Sequence, residues 1–148
     1  MEAIIFCGIQ ATGKTTFFLE HFFQTHLRIS MDQLNTRNKE SQFLETCLNM
    51  QQPFVVDNTN PGAADRKRYI DLAKSRKFKV KVYYFQSRID DALLRNSTRT
   101  GKQMIPDIGI RGTMKRLEIP TAEEGFDEMF YVRLQDNQFI IQNWAHEI

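Results

Sequence analysis

Gly8-Ile9-Gln10-Ala11-Thr12-Gly13-Lys14-Thr15 is the stretch whose reading decides the fold. It spells G-x-x-x-x-G-K-T. An apolar run, Ala3 to Cys7, precedes it and reads as a strand; Lys14 to Thr25 follows and reads as a helix. A glycine-rich turn in that context is a phosphate-binding P-loop. Gly8 and Gly13 let the backbone turn and come close to an anion. The loop N–H groups and the helix N-terminus offer donors and a positive dipole. Lys14 adds a mobile point charge for β- and γ-phosphates, and Thr15 a hydroxyl for Mg²⁺. The expected cradle is Gly8, Gln10, Ala11, Thr12, Gly13, Lys14, Thr15 and Thr16, holding ATP with Mg²⁺.

Outward from the loop, short β-rich runs alternate with helical ones. Leu27–Ser30, Phe54–Val56 and Phe78–Phe85 read as strands. Helices are expected over Arg37–Met50, from Pro61 in a first turn to about Lys77, over Ile89–Arg99 and over Asp107–Leu117. In the first helix Phe17, Phe18, Phe22 and Phe23 form the expected buried face. Met129–Leu134 and Gln138–Trp144 flank Asp136-Asn137 as a hairpin, or as one strand in the main sheet and one at its edge. Strand–helix alternation predicts an α/β P-loop NTPase fold of the adenylate-kinase-like kind. It has three layers, a mostly parallel central sheet and a small arginine-bearing lid. Residues 1–148 are expected to form one domain. Ligands of such sheets bind beyond the carboxyl ends of the strands, where the motifs below also fall.

Composition agrees. Hydrophobic residues make up 41% and charged residues 26%, which argues against disorder. A net charge of +2 announces no nucleic-acid binder in bulk, so any basic patch must be local. Cys7 and Cys47 read as buried free thiols of a reducing compartment. His21, His26 and His146 have no zinc-ligand spacing. The start of the chain has neither a basic leader nor a long apolar run, so a cytoplasmic protein is expected.

P-loop proteins hydrolyse, switch or transfer. Val55-Val56-Asp57 is followed by Asn58, an amide that cannot serve as a base for water. An Asn-Lys-x-Asp guanine motif is missing. Transfer to a bound acceptor remains, and it needs a base near the acceptor hydroxyl. Asp32, after the strand ending Ile29-Ser30, is the candidate; its bland alternative is a helix cap. Arg95 and Arg99, four apart before Thr100-Gly101-Lys102, read as a lid helix delivering guanidinium groups to phosphates; the bland alternative is a solvated helix face.

Asp57-Asn58-Thr59-Asn60-Pro61, followed by Arg66, Arg68 and Tyr69, resembles the D-x-T-N segment of polynucleotide 5′-hydroxyl kinases. Arg95-Asn96-x-x-Arg99 with Ile105-Pro106 resembles their lid. Pro120-Thr121-x-x-Glu124-Gly125-Phe126 is similar to a segment near the end of the kinase domain of eukaryotic polynucleotide kinase/phosphatases. The resemblance implies ATP-dependent transfer to a 5′-hydroxyl end of DNA or RNA. It implies Asp32 as general base, Lys14 and Thr15 as phosphate and metal residues, and Arg99 as the essential lid arginine with Arg95 beside it on phosphate. It places Asp57 and Asn58 on the acceptor side. No Asp-x-Asp-x-Thr phosphatase motif occurs in this stretch, so the companion 3′-phosphatase activity is not expected of it. Where several family members put an acceptor-gripping arginine, this chain has Asn35, and Arg37 is the expected substitute. Lys39, Arg66 and Arg68 are further candidates along the acceptor path. A small-molecule kinase acting on a sugar, nucleotide-sugar or antibiotic is the alternative on the same fold.

Overall fold

The computed structural model describes residues 1–144, so His146 lies outside the described residues. At the centre is β1 (Glu2–Cys7), whose alternate side chains face opposite helical layers. Ala3 and Ile5 pack with Leu44, Cys47, Leu48, Tyr69, Ile70 and Ala73 on one side. Ile4 and Phe6 pack with Phe17, Phe18 and Phe22 on the other. A strand covered on both faces must be apolar throughout, which is why this one reads as a continuous hydrophobic run.

Around it stand β2 (Leu27–Ile29), β3 (Phe54–Val56), β4 (Lys79–Phe85), β5 (Glu128–Gln135) and β6 (Gln138–Asn143). The sheet order is β2-β3-β1-β4-β5-β6. The first five are parallel; β6 returns antiparallel along β5, with Val132 opposite Ile141. The expected hairpin and the expected edge strand are therefore the same element. Its turn residues Asp136 and Asn137 have φ of 51° and 61°, both positive as a type I′ hairpin turn requires.

The helices are α1 (Lys14–His21), α2 (Met31–Leu34), α3 (Arg37–Met50), α4 (Ala63–Ser75), α5 (Ile89–Ser97) and α6 (Asp107–Arg116). Three boundaries differ from expectation and one helix is unexpected, each for a local reason. α1 ends at His21, because Thr25 and His26 turn back to donate to the Phe22 carbonyl before β2. Phe23 thus falls outside the helical repeat and is 65% exposed rather than buried. Pro61 precedes α4 instead of sitting in its first turn; Gly62 is the N-cap, and its N–H donates to Asp65. α5 stops at Ser97, where the Ser97 and Thr98 hydroxyls bind the carbonyls of Leu94 and Arg95. Arg99 therefore lies beyond the helix and does not share a helix face with Arg95. α2 was not expected at all; Ser30 caps it by accepting from the Asp32 N–H.

Cys7 and Cys47 are free and buried. No helix among the described residues is long and apolar enough to cross a membrane.

Candidate active site

β1 delivers the chain into the P-loop, which is anchored on both sides. The Gly8 N–H donates to the Thr59 carbonyl at 3.0 Å, and the Ile9 N–H to Ser87 Oγ at 3.1 Å. A Cβ on Gly8 would stand 3.0 Å from Phe85 Cβ, so the approach of β4 requires glycine here. Gly13 has φ 92°, and a Cβ there would meet Phe139 Cε1 at 2.9 Å. Ala11, not a glycine, is also left-handed at φ 62°. Such strain persists where the surroundings enforce it. Here Arg95 Nη1 holds the Ala11 carbonyl at 3.2 Å, and Thr12 Oγ1 holds that of Ile9 at 2.9 Å.

Among the described residues, no hydrogen bond takes the backbone N–H groups of Gln10 through Thr16. This row of unspent donors at the start of α1 is what an oligophosphate needs. Lys14 is folded over the same loop. Its Nζ donates to the carbonyls of Gly8 at 3.0 Å and Ile9 at 2.7 Å, and to Thr12 Oγ1 at 3.4 Å. Burial pushes the Lys14 ammonium down to about 8, while the neighbouring Asp57 carboxylate pulls it back up. An arriving phosphate would favour the charged form further.

Asp57, at the end of β3, faces the P-loop. Its Oδ2 accepts from Thr15 Oγ1 at 3.1 Å and from Arg28 Nε at 2.8 Å. Arg28 Nη2 also donates to Thr15 Oγ1, at 3.2 Å. A hydroxyl and a carboxylate with a cationic group already against both are a donor set suited to Mg²⁺, a hard cation that prefers oxygen. Sequence reading missed Arg28. A lone charge between Leu27 and Ile29 in a short apolar strand was the signal that could have found it.

P-loop residues and Asp57 line an open cavity of about 1130 Å³. Asp32, Asn35, Arg37, Arg68 and Tyr69 line the same cavity, and Arg99 and Lys102 reach it from the segment after α5. Three sequence candidates for catalysis, Lys14, Asp32 and Arg99, thus share one space. The Asp32 side chain is exposed there, and among the described residues no hydrogen bond or ion pair takes its carboxylate. It sits in the first turn of α2, while Thr36 caps α3.

The acceptor-side expectations divide. Asn58 is spent internally: its Oδ1 accepts from the Met31 N–H at 2.9 Å and its Nδ2 donates to Glu40 at 3.0 Å. It holds the Asp32 segment in place. Asn35 is left-handed at φ 68° as the C-cap of α2, and its side chain donates to the Gln33 carbonyl. Arg37 Nη1 binds Glu40 at 3.0 Å and the Tyr69 hydroxyl at 3.3 Å. Glu40 is fully buried and also takes Arg68 and Tyr69, so two guanidinium groups converge on one carboxylate beside the cavity. Lys39 is exposed on α3.

Arg66 does not belong on the acceptor path. It is fully buried, and binds Glu124 through two nitrogens at 2.7 and 3.0 Å and the carbonyls of Asn60 and Pro61 through the third. Glu124 also caps the turn after Thr121, whose N–H it accepts at 2.9 Å. The Thr121-x-x-Glu124-Gly125 segment is therefore a brace for α4.

On the lid side, Arg99 Nη1 rests at 3.3 Å from the Gln103 carbonyl. Asn96 closes the loop by donating to and accepting from Ile105. Gln10 Nε2 ties the P-loop to Thr113 of α6 at 3.0 Å.

No protein-family model matches the chain. It is 27% identical over 150 residues to a bifunctional polynucleotide phosphatase/kinase of Schizosaccharomyces pombe, an alignment spanning 97% of this chain and 37% of that protein. It is likewise 27% identical over 136 residues to a protein of Acanthamoeba polyphaga mimivirus provisionally named for the same two activities, covering 86% and 32% respectively. The chain thus spans about a third of the length of these relatives. Among solved structures it is similar to Kti12 of Chaetomium thermophilum in complex with ADP-AlF3, with TM-score 0.69, 15% identity and 90% of each chain covered. It is also similar to a gluconokinase of Sinorhizobium meliloti 1021, with TM-score 0.65, 16% identity, and 89% and 82% covered. These likenesses fit the observed sheet: the fold is the α/β P-loop NTPase fold.

Proposed function

We propose that the chain is an ATP-dependent kinase that moves the γ-phosphoryl group to a 5′-hydroxyl end of DNA or RNA. The observation that carries the reading is the shared cavity. Its lining includes a row of free N–H donors, Lys14 and a carboxylate without a partner among the described residues, Asp32. A carboxylate lining the same cavity as the phosphate cradle is what transfer to a bound hydroxyl needs. Bound ATP would supply the phosphoryl group, and Mg²⁺ held beside it would supply charge neutralisation.

The chain's own groups divide the work. The N–H groups of Gln10 to Thr16 and Lys14 hold the phosphates. Thr15 would hold the metal together with Asp57, which the resemblance puts on the acceptor side but which is bonded to Thr15. Asp32 takes the proton of the attacking hydroxyl, a task that needs a carboxylate free of other partners. Arg99, released from the Gln103 carbonyl, brings a planar fork onto the moving group. The polynucleotide names of the two relatives support the acceptor class, and the resemblance in the Asp57–Pro61 and Arg95–Pro106 segments runs the same way.

A second reading, a small-molecule acceptor, draws on Asn35. Its amide is turned back on its own helix and offers no charge to a strand phosphate. A labelled γ-phosphate assay separates the two readings. Label is expected in 5′-hydroxyl oligonucleotides and not in a metabolite pool. Label in metabolites alone would move the acceptor to the second class, and label in neither would end the kinase reading.

A further inference from the structure

We infer that Arg28 is a built-in counter-ion at the cation position between Thr15 and Asp57, and that a divalent cation and this guanidinium exclude one another there. The inference rests on the nucleotide reading above and deepens it.

The three groups form a closed triangle. Arg28 Nε lies 2.8 Å from Asp57 Oδ2, Arg28 Nη2 3.2 Å from Thr15 Oγ1, and that hydroxyl 3.1 Å from the same carboxylate oxygen. Thr15 Oγ1 spends its hydrogen on Asp57 and a lone pair on Arg28. Asp57 Oδ2 receives two donors. Asp57 Oδ1 and the second lone pair of Thr15 Oγ1 remain for a metal, but a metal on them would stand directly beside the docked guanidinium. A guanidinium and a divalent ion within a few ångströms of each other repel strongly where solvent is scarce.

Burial explains why a side chain fills this role. The Asp57 side chain is 2% exposed, against 17% for Arg28. A carboxylate so enclosed needs a counter-charge at all times. Lys14 does not touch it: its Nζ is bonded to Gly8, Ile9 and Thr12. Arg28 is therefore the cation in contact with Asp57 before any ligand arrives. Leaving is simple, because β2 is an edge strand and the Arg28 side chain already lines the open cavity. Nothing in the core has to move.

Competition of this kind weakens apparent metal affinity by the fraction of molecules in which the position is open. If the docked guanidinium outnumbers the free one by about ten to one, about tenfold more cation is needed to reach the same occupancy.

The test follows melting temperature against free Mg²⁺ at a saturating concentration of a non-hydrolysable ATP analogue, with Mn²⁺ binding read by electron paramagnetic resonance. In Arg28→Gln the Mg²⁺ midpoint is expected to fall about tenfold, and the ligand-free protein to melt earlier than wild type. Arg28→Lys, which keeps the charge but loses the two-point grip, is expected between them. A midpoint unchanged or raised in Arg28→Gln overturns the inference, since Arg28 would then play no part at the metal or would help to hold it. Should Arg28→Gln fail to fold, a wild-type midpoint in Arg28→Lys overturns it equally. If wild type itself shows no Mg²⁺-dependent stabilisation with the analogue, the nucleotide reading falls. A response in wild type that the variants share refutes only the role of Arg28.

Discussion

Asp32 is distinguished among the carboxylates around the cavity by having nothing to hold. Asp57 is bound by Thr15 and Arg28, and Glu40 by two arginines, a tyrosine and an amide. A general base needs a lone pair free to take a proton, and both Asp32 oxygens are free among the described residues, which supports the proposed role. Asp32→Asn is expected to bind nucleotide as wild type does and to lose about 10²–10⁴-fold in transfer rate. Rate and nucleotide affinity, measured side by side, check this. Near-normal turnover with a lowered melting point would make Asp32 a helix-terminal residue and nothing more. Residues in one contiguous motif were legible in the sequence: Lys14 and Thr15 fall where the P-loop spacing puts them. Arg28 was not, because its partners lie 13 and 29 positions away and meet it only through the sheet. In the sequence Arg37 and Arg68 read as charges along an acceptor path. Their convergence on Glu40 was invisible, since nothing marks a glutamate in an amphipathic helix as the buried one.

The strands and α3 were read nearly to the residue, because apolar runs bounded by Pro53 or Ser30 leave few alternatives. The ends of α1 and α5 and the start of α4 were not, and the reason is chemical. Ser97 and Thr98 cap α5 by bonding its carbonyls, a competition that propensity alone does not reveal. The consequence reaches function: Arg99 sits in a loop, where it can move without unwinding a helix. Arg66 shows the opposite error. A buried guanidinium clasped by Glu124 looks in sequence like a basic residue awaiting a phosphate. Its energetics are those of an enclosed ion pair, for which loss of one partner leaves a stranded charge. Glu124→Gln is expected to lower unfolding free energy by about 3 kcal/mol, read by urea denaturation, while nucleotide affinity under folded conditions stays the same. A change below about 0.5 kcal/mol would return Arg66 to the surface and to the acceptor path.

At the scale of the whole molecule, the sheet order puts the two halves of the cavity on unequal supports. The P-loop leaves β1, which has a strand on either side and a helical layer on either face. Asp32 leaves β2, a three-residue strand with a single neighbour. That inequality was not legible in the sequence. Alternation of strands and helices fixes the layers, but not which strand is central. It carries a temporal meaning. Local opening takes least energy where a segment has fewest packed neighbours. Amide exchange is therefore expected to be faster from Leu27 through Asn35 than from Ile4 through Gly8 in the ligand-free protein, and equal rates in the two segments would contradict this. On the proposed function the molecule would work like a vice with one fixed jaw: the nucleotide would meet a surface already set, while the looser jaw would be left to close on the acceptor last.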